Sequence, residues 1–529
     1  MVQKKRHKEH RSAKKRNLEA GILATLILLV FRIPLANIIG NEGNGYLAVS
    51  WEIYNFFYLL FGYGFSKGIS QMVKKRIEKK LYINSKKSMK IIFSTGLILS
   101  LAGGALLYFG AAWIAGLFPE ARMVEISLKL GSPLLVCQTM LGILRGYFEG
   151  MGTKVPTDIS RLVEAVITAT GALLFVFVTA GYGEKVSALL HNEHFTAGFA
   201  AAGVVFGYLC GTLLSLLFLS FVYVLYSKGY NRLLKKDLTR VPEAGSGLFL
   251  ELFSSFPAIL GQILFLKFYR LVNLYLYGRQ LSAEEVTSGI DIIGSFYGKI
   301  TVLMALAVAL ILFFSEKKKK RDRKQLIQHE AKAGRLLFAE ELQKLFFLAA
   351  PAMGSFIALS EALLKTLYTS GSQAESLLLG IGGVSLVFIS LGMYLYRILL
   401  SQHLHKQLFF VQTTAFVLQL LFMLLITKLP PLGNFSLLNL SLGIAELVFW
   451  IVFSLGQLAV LMKIYRLRFP WGNIFLVPLI RAAIMTVVQV VIVQLLKQLL
   501  PSGMVCILAI GLGIVFYWLS GRVSILKTE

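Results

Sequence analysis

Apolar residues in this chain come in long runs separated by shorter polar stretches. The hydrocarbon core of a bilayer, about 30 Å thick, is crossed by roughly 20 apolar residues in helical form. Fourteen runs meet that requirement: 18–39, 46–67, 91–116, 123–144, 159–181, 198–226, 249–277, 288–314, 345–368, 376–400, 408–428, 437–462, 472–496 and 503–521. The pattern predicts an all-α polytopic membrane protein. An even number of spans puts both termini on one side.

The polar stretches alternate between rich and poor in Lys and Arg. The N-terminal tail, 67–90, 145–161, 228–240, 317–344, 397–406, 463–468 and the C-terminal end together hold 42 of the 54 basic residues. The intervening connections hold only Arg122, Lys129, Lys185, Arg279, Lys428 and Lys497. Cytoplasmic loops carry the excess of Lys and Arg, so both termini are expected in the cytoplasm. A missed or invented span would break the alternation.

Composition agrees with the pattern. The chain is 56% hydrophobic and 15% charged, against about 25% charged in soluble domains. Its formal net charge of +27 does not point to nucleic acid. The basic residues lie in cytoplasmic loops, where anionic lipid headgroups attract them. The stretch MVQKKRHKEHRSAKKRN precedes an apolar run followed by Arg32 and Pro34 rather than a small-residue cleavage site, so it reads as a basic cytoplasmic tail (1–17) before an uncleaved first span. Cys137, Cys210 and Cys506 all fall in apolar runs and read as packing residues.

The segment 228–247, KGYNRLLKKDLTRVPEAGSG, reads as a cytoplasmic linker. It separates a first six-span lobe (18–227) from a second (248–465), with two extra C-terminal spans in 466–529. In each lobe the second span runs into a strongly basic loop, KKRIEKKLYINSKK near 74–87 and EKKKKRDRK near 316–324. That is the plan of a parallel duplication, as in the two halves of several transporter folds.

Two stretches carry a family resemblance. One is FRIPLANIIGNEGNGYLAVSWEIYNFFYLLFGYGFSKGISQMV at 31–73, the other LRGYFEGMGTKVPTDISRLVE at 144–164. Both resemble the stage V sporulation protein B-like polysaccharide transporters, relatives of the lipid II flippases in the multidrug/oligosaccharidyl-lipid/polysaccharide flippase superfamily. Arg32–Leu35, Gly40–Gly45 and Gly64–Ser70 follow that family's motif in order and spacing, as do Arg145–Gly150, Pro156, Thr157, Ser160 and Glu164. The sequence departs at Phe65-Ser66-Lys67-Gly68, where the family usually has a Pro and small apolar residues. Gly40–Gly45 is expected to be an outer hairpin turn. Arg145 is expected to bind lipid headgroups or to pair with Glu149 or Glu164.

Charges inside spans are costly in lipid and usually face a cavity or one another. Here they are Arg32, Glu52, Lys267, Arg270, Asp291, Lys299, Glu361, Lys365, Glu446 and Arg481. Glu361 and Lys365 stand four apart with Glu first, a favourable helical ion pair. Lys267, Arg270 and Asn273 repeat every three residues, and Asp291, Ser295 and Lys299 every four, which gives the seventh and eighth spans a polar face each. The resemblance implies a basic cavity between the lobes, with walls from the first, seventh and eighth spans. Arg32, Lys267, Arg270 and Lys299 are the expected ligands of a diphosphate, and Glu52 and Asp291 are candidates for ion coupling. Arg481 is expected to snorkel or to meet a lipid headgroup. Many of the aromatics crowding the second span (Tyr54, Phe56, Phe57, Tyr58, Phe61, Tyr63) are expected to face lipid or pack.

No catalytic set stands out. None of the seven His falls in mid-span, and His191-Asn-Glu-His194 lacks a third ligand in sequence. The chain contains no P-loop motif. The expected function is a non-enzymatic, cofactor-free and metal-free flippase, in the cytoplasmic membrane of a bacterium. It would move a lipid-linked oligosaccharide or cell-wall precursor by alternating access, with the lipid-linked sugar and anionic membrane lipids as partners. The alternatives are an ion-coupled drug or small-molecule antiporter of the same superfamily, and a non-transporting membrane scaffold.

Overall fold

The described parts of all fourteen apolar runs are helical in the computed structural model, which describes residues 20–118, 121–239, 241–284, 289–315, 331–368, 371–426, 437–465 and 471–525. No strand occurs among these residues. Without water in the bilayer core, each backbone N–H and C=O must pair inside its own segment, which a helix achieves locally. The tail 1–17, loop residues 317–330, Lys428, Arg466, Arg468 and Lys527 lie outside the described residues.

In chain order the helices begin with α1 (Ala20–Glu78), α2 (Tyr82–Phe109), α3 (Ala111–Gly116), α4 (Val124–Gly150), α5 (Val155–Leu190) and α6 (His194–Leu234). They continue with α7 (Gly245–Gly261), α8 (Leu264–Glu284), α9 (Gly289–Ser315), α10 (Ala331–Ala358), α11 (Ser360–Tyr368) and α12 (Gln373–Ser401). The last are α13 (His405–Ile426), α14 (Leu437–Tyr465), α15 (Gly472–Leu496) and α16 (Ser502–Ile525). Among the described residues 11 helices are long and apolar enough to cross a membrane, or up to 13 if each of two bent pairs is one span. The bent pairs are α7 with α8, at 58°, and α10 with α11, at 80°. A count of fourteen further requires two spans in α1. Its 59 residues would reach about 88 Å if straight, far more than one core thickness.

α1 is two helices joined across a kink at Gly40, the first residue of the turn expected over Gly40–Gly45. Only Gly40 leaves the helix, at φ 68° and ψ −179°, and residues 41–45 wind on. Glycine alone takes this backbone state without a steric cost. The Asn44 amide then donates to the Gly40 carbonyl at 2.6 Å.

By compactness the chain forms two units, one of Met1–Phe31 and Ile38–Ser282, the other of Arg32–Asn37 and Ala283–Glu529. α7 and all but the last two residues of α8, the expected opening of the second lobe, fall in the first unit. A repeat counts helices whereas a unit counts packing, so the two divisions need not coincide.

Within the first unit, the Gly64–Glu78 part of α1 lies against α4. Phe65, Ile69, Met72 and Val73 pack with Ile92, Met140, Ile143, Leu144 and Phe148. The approach runs along Gly142, Gly146 and Gly150, a small-residue face of the kind that lets helix backbones meet in membranes. A Cβ at Gly146 would stand 2.2 Å from the Ser66 carbonyl oxygen, so backbone would have to move. Gly146→Ala is expected to destabilise the protein by about 1–3 kcal/mol, the usual cost of overpacking. The midpoint of thermal unfolding in detergent, set beside that of Gly229→Ala, where an added Cβ meets open space, checks this.

The expected linker is largely tied down. α6 runs on to Leu234, and Leu238 N–H donates to the Lys80 carbonyl at 3.1 Å. Burial, the largest single influence, disfavours the Asp237 carboxylate, yet hydrogen bonds that include the N–H groups of Ile83 (3.0 Å) and Thr239 (2.9 Å) together hold its pKa below the ordinary carboxylate value. Further along, Glu243 and Glu251 both accept from Arg76, Glu251 at 2.6 Å. Asn84 donates to Glu243 at 3.0 Å, and Lys87 reaches the Glu243 carbonyl at 2.6 Å. These contacts fix the start of α7 on the end of α1.

Candidate functional site

In the first unit the sequence-predicted residues Glu52, Lys267 and Arg270 lie on α1 and α8. Pro257 stands inside α7, where a missing N–H weakens the helix, and the chain bends before α8 begins at Leu264. Lys267 therefore closes the first turn of α8, with Arg270 nearly one turn on. The Lys267 side chain keeps exposed surface although protein surrounds it. Its charged neighbours are Glu52, which attracts it, and Arg270, which repels it. Glu52 is buried. Arg270 is half-buried, its Nε donates to the Tyr269 hydroxyl at 3.0 Å, and its guanidinium carbon lies 5.8 Å from that ring's centre. Asn273, the third residue of the predicted polar face, is fully buried.

In the second unit Arg32, Asp291 and Lys299 have separate surroundings. Arg32 is half-buried, and its charge acts on Tyr368 at the end of α11. Nearby, Asn37 Nδ2 donates to the Leu367 carbonyl at 2.8 Å. Asp291 is half-buried in the first turn of α9. Lys299 lies in a π-helical stretch of α9, Gly294–Ile300. It is 3% exposed, and its Nζ stands 3.3 Å from Glu375 Oε1 and 5.6 Å from the centre of the Tyr368 ring. Ser295 Oγ donates to the same Glu375 oxygen.

Glu375 was not among the residues singled out from the sequence. It lies at the edge of a predicted span, where a charge is unremarkable. The signal was the pair Ser372 and Glu375, three apart before an apolar run, which marks a helix N-terminus. The structure has that capping box at the start of α12.

The remaining charges in spans divide by their partners. Glu361 and Lys365 form an exposed i, i+4 pair at 2.5 Å. Glu446 is buried in α14, and Arg481 is half-buried with its charge acting on Tyr517. Arg145 pairs with Glu164 at 2.8 Å and donates from Nε to Ser160 Oγ at 2.8 Å. Glu149 accepts from Arg161 instead, at 3.0 Å. Lys67 is exposed. His194 pairs with Glu42. Among the described residues no group of three or more His, Cys, Asp or Glu has a geometry to hold a metal ion.

Comparison with known proteins bears on this arrangement. Among curated relatives, the uncharacterized membrane protein YabM of Bacillus subtilis (strain 168) is 27% identical over 207 residues, 39% of this chain and 35% of that one. Stage V sporulation protein B of the same organism is 24% identical over 237 residues, 45% of this chain and 43% of that one. Lipid II flippase MurJ of the same organism is 24% identical over 169 residues, 29% and 31% of the two chains. The matched part thus spans less than half the length of each of these relatives. A solved structure of lipid II flippase MurJ in an inward closed conformation aligns with a TM-score of 0.64 at 15% identity, over 96% of this chain and 98% of that one. An inward-facing multidrug resistance MATE family transporter of the MOP superfamily aligns with a TM-score of 0.57 at 14% identity, over 84% and 96%. At such identities these likenesses establish a shared fold. The family model described as polysaccharide biosynthesis protein matches residues 17–316, more than half of the chain. With that match the chain belongs to the polysaccharide biosynthesis protein family.

Proposed function

We propose that this protein is a flippase of the bacterial cytoplasmic membrane, with both termini in the cytoplasm. In this reading it moves a prenyl-diphosphate-linked oligosaccharide or cell-wall precursor across the bilayer by alternating access. The observation that carries the reading is the placement of Lys267 and Arg270 in an apolar helix, one exposed and one half-buried within surrounding protein. A cation facing lipid there would be costly, whereas a cation facing a hydrated, protein-lined space is a binding group. A diphosphate carries at least two negative charges, and the Arg270 guanidinium offers it a planar two-pronged donor. Arg32 and Lys299 are proposed as further ligands, Glu52 and Asp291 as the ion-coupling carboxylates, and anionic lipids as partners of the cytoplasmic basic loops. One charge moved across 100 mV is worth about 2.3 kcal/mol, so membrane potential alone can bias transport of an anionic lipid.

The MATE-like fold supports a second reading, efflux of a small organic cation. The two differ in the sign of the charge bound. Vesicles containing the full-length protein should move a fluorescent prenyl-diphosphate sugar between leaflets and leave a preloaded cationic dye in place. Dye efflux without lipid movement would establish the second reading, and movement of neither would leave the protein as a membrane scaffold.

A further inference from the structure

We propose that Ser295, Lys299 and the backbone N–H of Ser372 form an anion cradle that Glu375 fills in this structure, and that an incoming diphosphate displaces it. The nature of the ligand rests on the flippase reading. The cradle itself rests on geometry.

Glu375 is 5% exposed, and among its partners are donors from both α9 and the start of α12. Oε1 faces Lys299 Nζ at 3.3 Å and accepts from Ser295 Oγ, while Oε2 accepts from Ser372 N–H at 3.1 Å. An ammonium, a hydroxyl and a main-chain N–H converging on one anion are the donor set of a phosphate site. A buried ion pair is weak evidence for a stabilising role, because apolar residues of the same volume often replace it without loss.

The backbone is arranged so that the occupant can change. The π turn Gly294–Ile300 brings Ser295 and Lys299 to one oxygen, and such turns recur at functional sites. The Tyr368 hydroxyl donates to the Lys299 carbonyl at 3.2 Å, which anchors the main chain of Lys299 whatever its ammonium binds. At the other end, Ser372, in the turn that carries Glu375, is exposed at the protein surface. Ser372 Oγ accepts from Glu375 N–H at 3.1 Å, a cap that survives departure of the carboxylate. The oxygens of a diphosphate can replace each contact that Glu375 gives up.

Self-occupation has a functional consequence. When the competent form is a fraction of the molecules, apparent affinity falls by that fraction. Glu375 thus keeps the cradle from trapping its ligand and returns to it when the ligand leaves.

Titration of the purified full-length protein in detergent tests the proposal, with farnesyl diphosphate and inorganic pyrophosphate as separate ligands. Glu375→Gln removes the competing charge and keeps the shape of the side chain. It should bind at least one of the two ligands about tenfold more tightly than wild type, and Glu375→Gln/Lys299→Met should lose that gain. A gain confined to farnesyl diphosphate assigns the cradle to lipid-borne headgroups. A gain for both assigns it to the diphosphate group whatever its source. Absence of any gain, or a gain that survives Lys299→Met, overturns the proposal. Should Glu375→Gln fail to fold, Glu375→Asp decides, since it withdraws the carboxylate by one methylene and retains the cap. It should bind more tightly than wild type, and equal binding overturns the cradle. Failure of lipid movement in vesicles would remove the flippase reading and leave this titration interpretable by itself.

Discussion

Arg270→Ala should lower the initial rate of prenyl-diphosphate sugar movement in vesicles by about 10- to 100-fold. Hydrogen bonds to charged groups are worth about 1.5–3 kcal/mol, and each 1.4 kcal/mol is a factor of ten. Arg270 donates from Nε to the Tyr269 hydroxyl at 3.0 Å. Arg270→Lys should recover part of the rate, because it keeps the charge and loses the fork. Lys267→Ala should act in the same direction and more weakly, since an ammonium contributes charge without planar geometry. Glu52 shares this neighbourhood with Lys267. Glu52→Gln should therefore change how the rate depends on an imposed ion gradient or membrane potential more than it changes the rate at zero potential. If Arg270→Ala matches wild type at equal protein density in the vesicles, the diphosphate does not bind through Arg270.

Arg145→Ala should cost about 3–5 kcal/mol of stability, the usual loss when one member of a buried pair is removed. Arg145 and Glu164 have side chains only 11% and 15% exposed. Arg145 links α4 to α5 through Ser160 and Glu164, and its carbonyl accepts from Thr157 Oγ1 at 3.4 Å. Glu164 in turn accepts from Thr212 Oγ1 of α6 at 3.2 Å. Without Arg145 the carboxylate keeps that hydroxyl and loses its counter-charge. Arg145→Ala/Glu164→Gln should therefore lose less than the sum of the two single changes, as measured by reversible denaturation in mixed micelles. Strict additivity would mean that the pair does not act as a unit. By contrast, Arg161→Ala should cost under about 1 kcal/mol, because its contacts to Glu149 and Asp158 are made from a side chain 43% exposed.

Much of the fold was legible in the sequence because the bilayer imposes a length and a composition on each span, and both survive in the residues. The bends were less legible. Gly40 fits a longer turn and a single-residue break equally well in sequence, and the backbone shows that the non-helical angles are confined to that one residue. Pro257 and Pro351 hint at the broken pairs α7–α8 and α10–α11, but a proline does not say how far the axis turns. The candidate site was legible in part. Arg145 and Glu164 belong to one motif, so their pairing was among the expected outcomes. Lys299 and Glu375 are 76 residues apart, and no periodicity connects them. A basic residue in a span announces itself by its cost in lipid. A carboxylate at a helix start carries no such cost and is read as a cap.

The central claim, that the membrane-embedded cations serve a lipid-borne diphosphate, is tested most directly by wild-type protein in vesicles offered two matched fluorescent lipids. One carries its sugar on a prenyl diphosphate, the other on a neutral prenyl ether. The account predicts rapid protein-dependent movement of the first and movement of the second no faster than in protein-free vesicles. Equal movement of both lipids, or movement of neither, would contradict it.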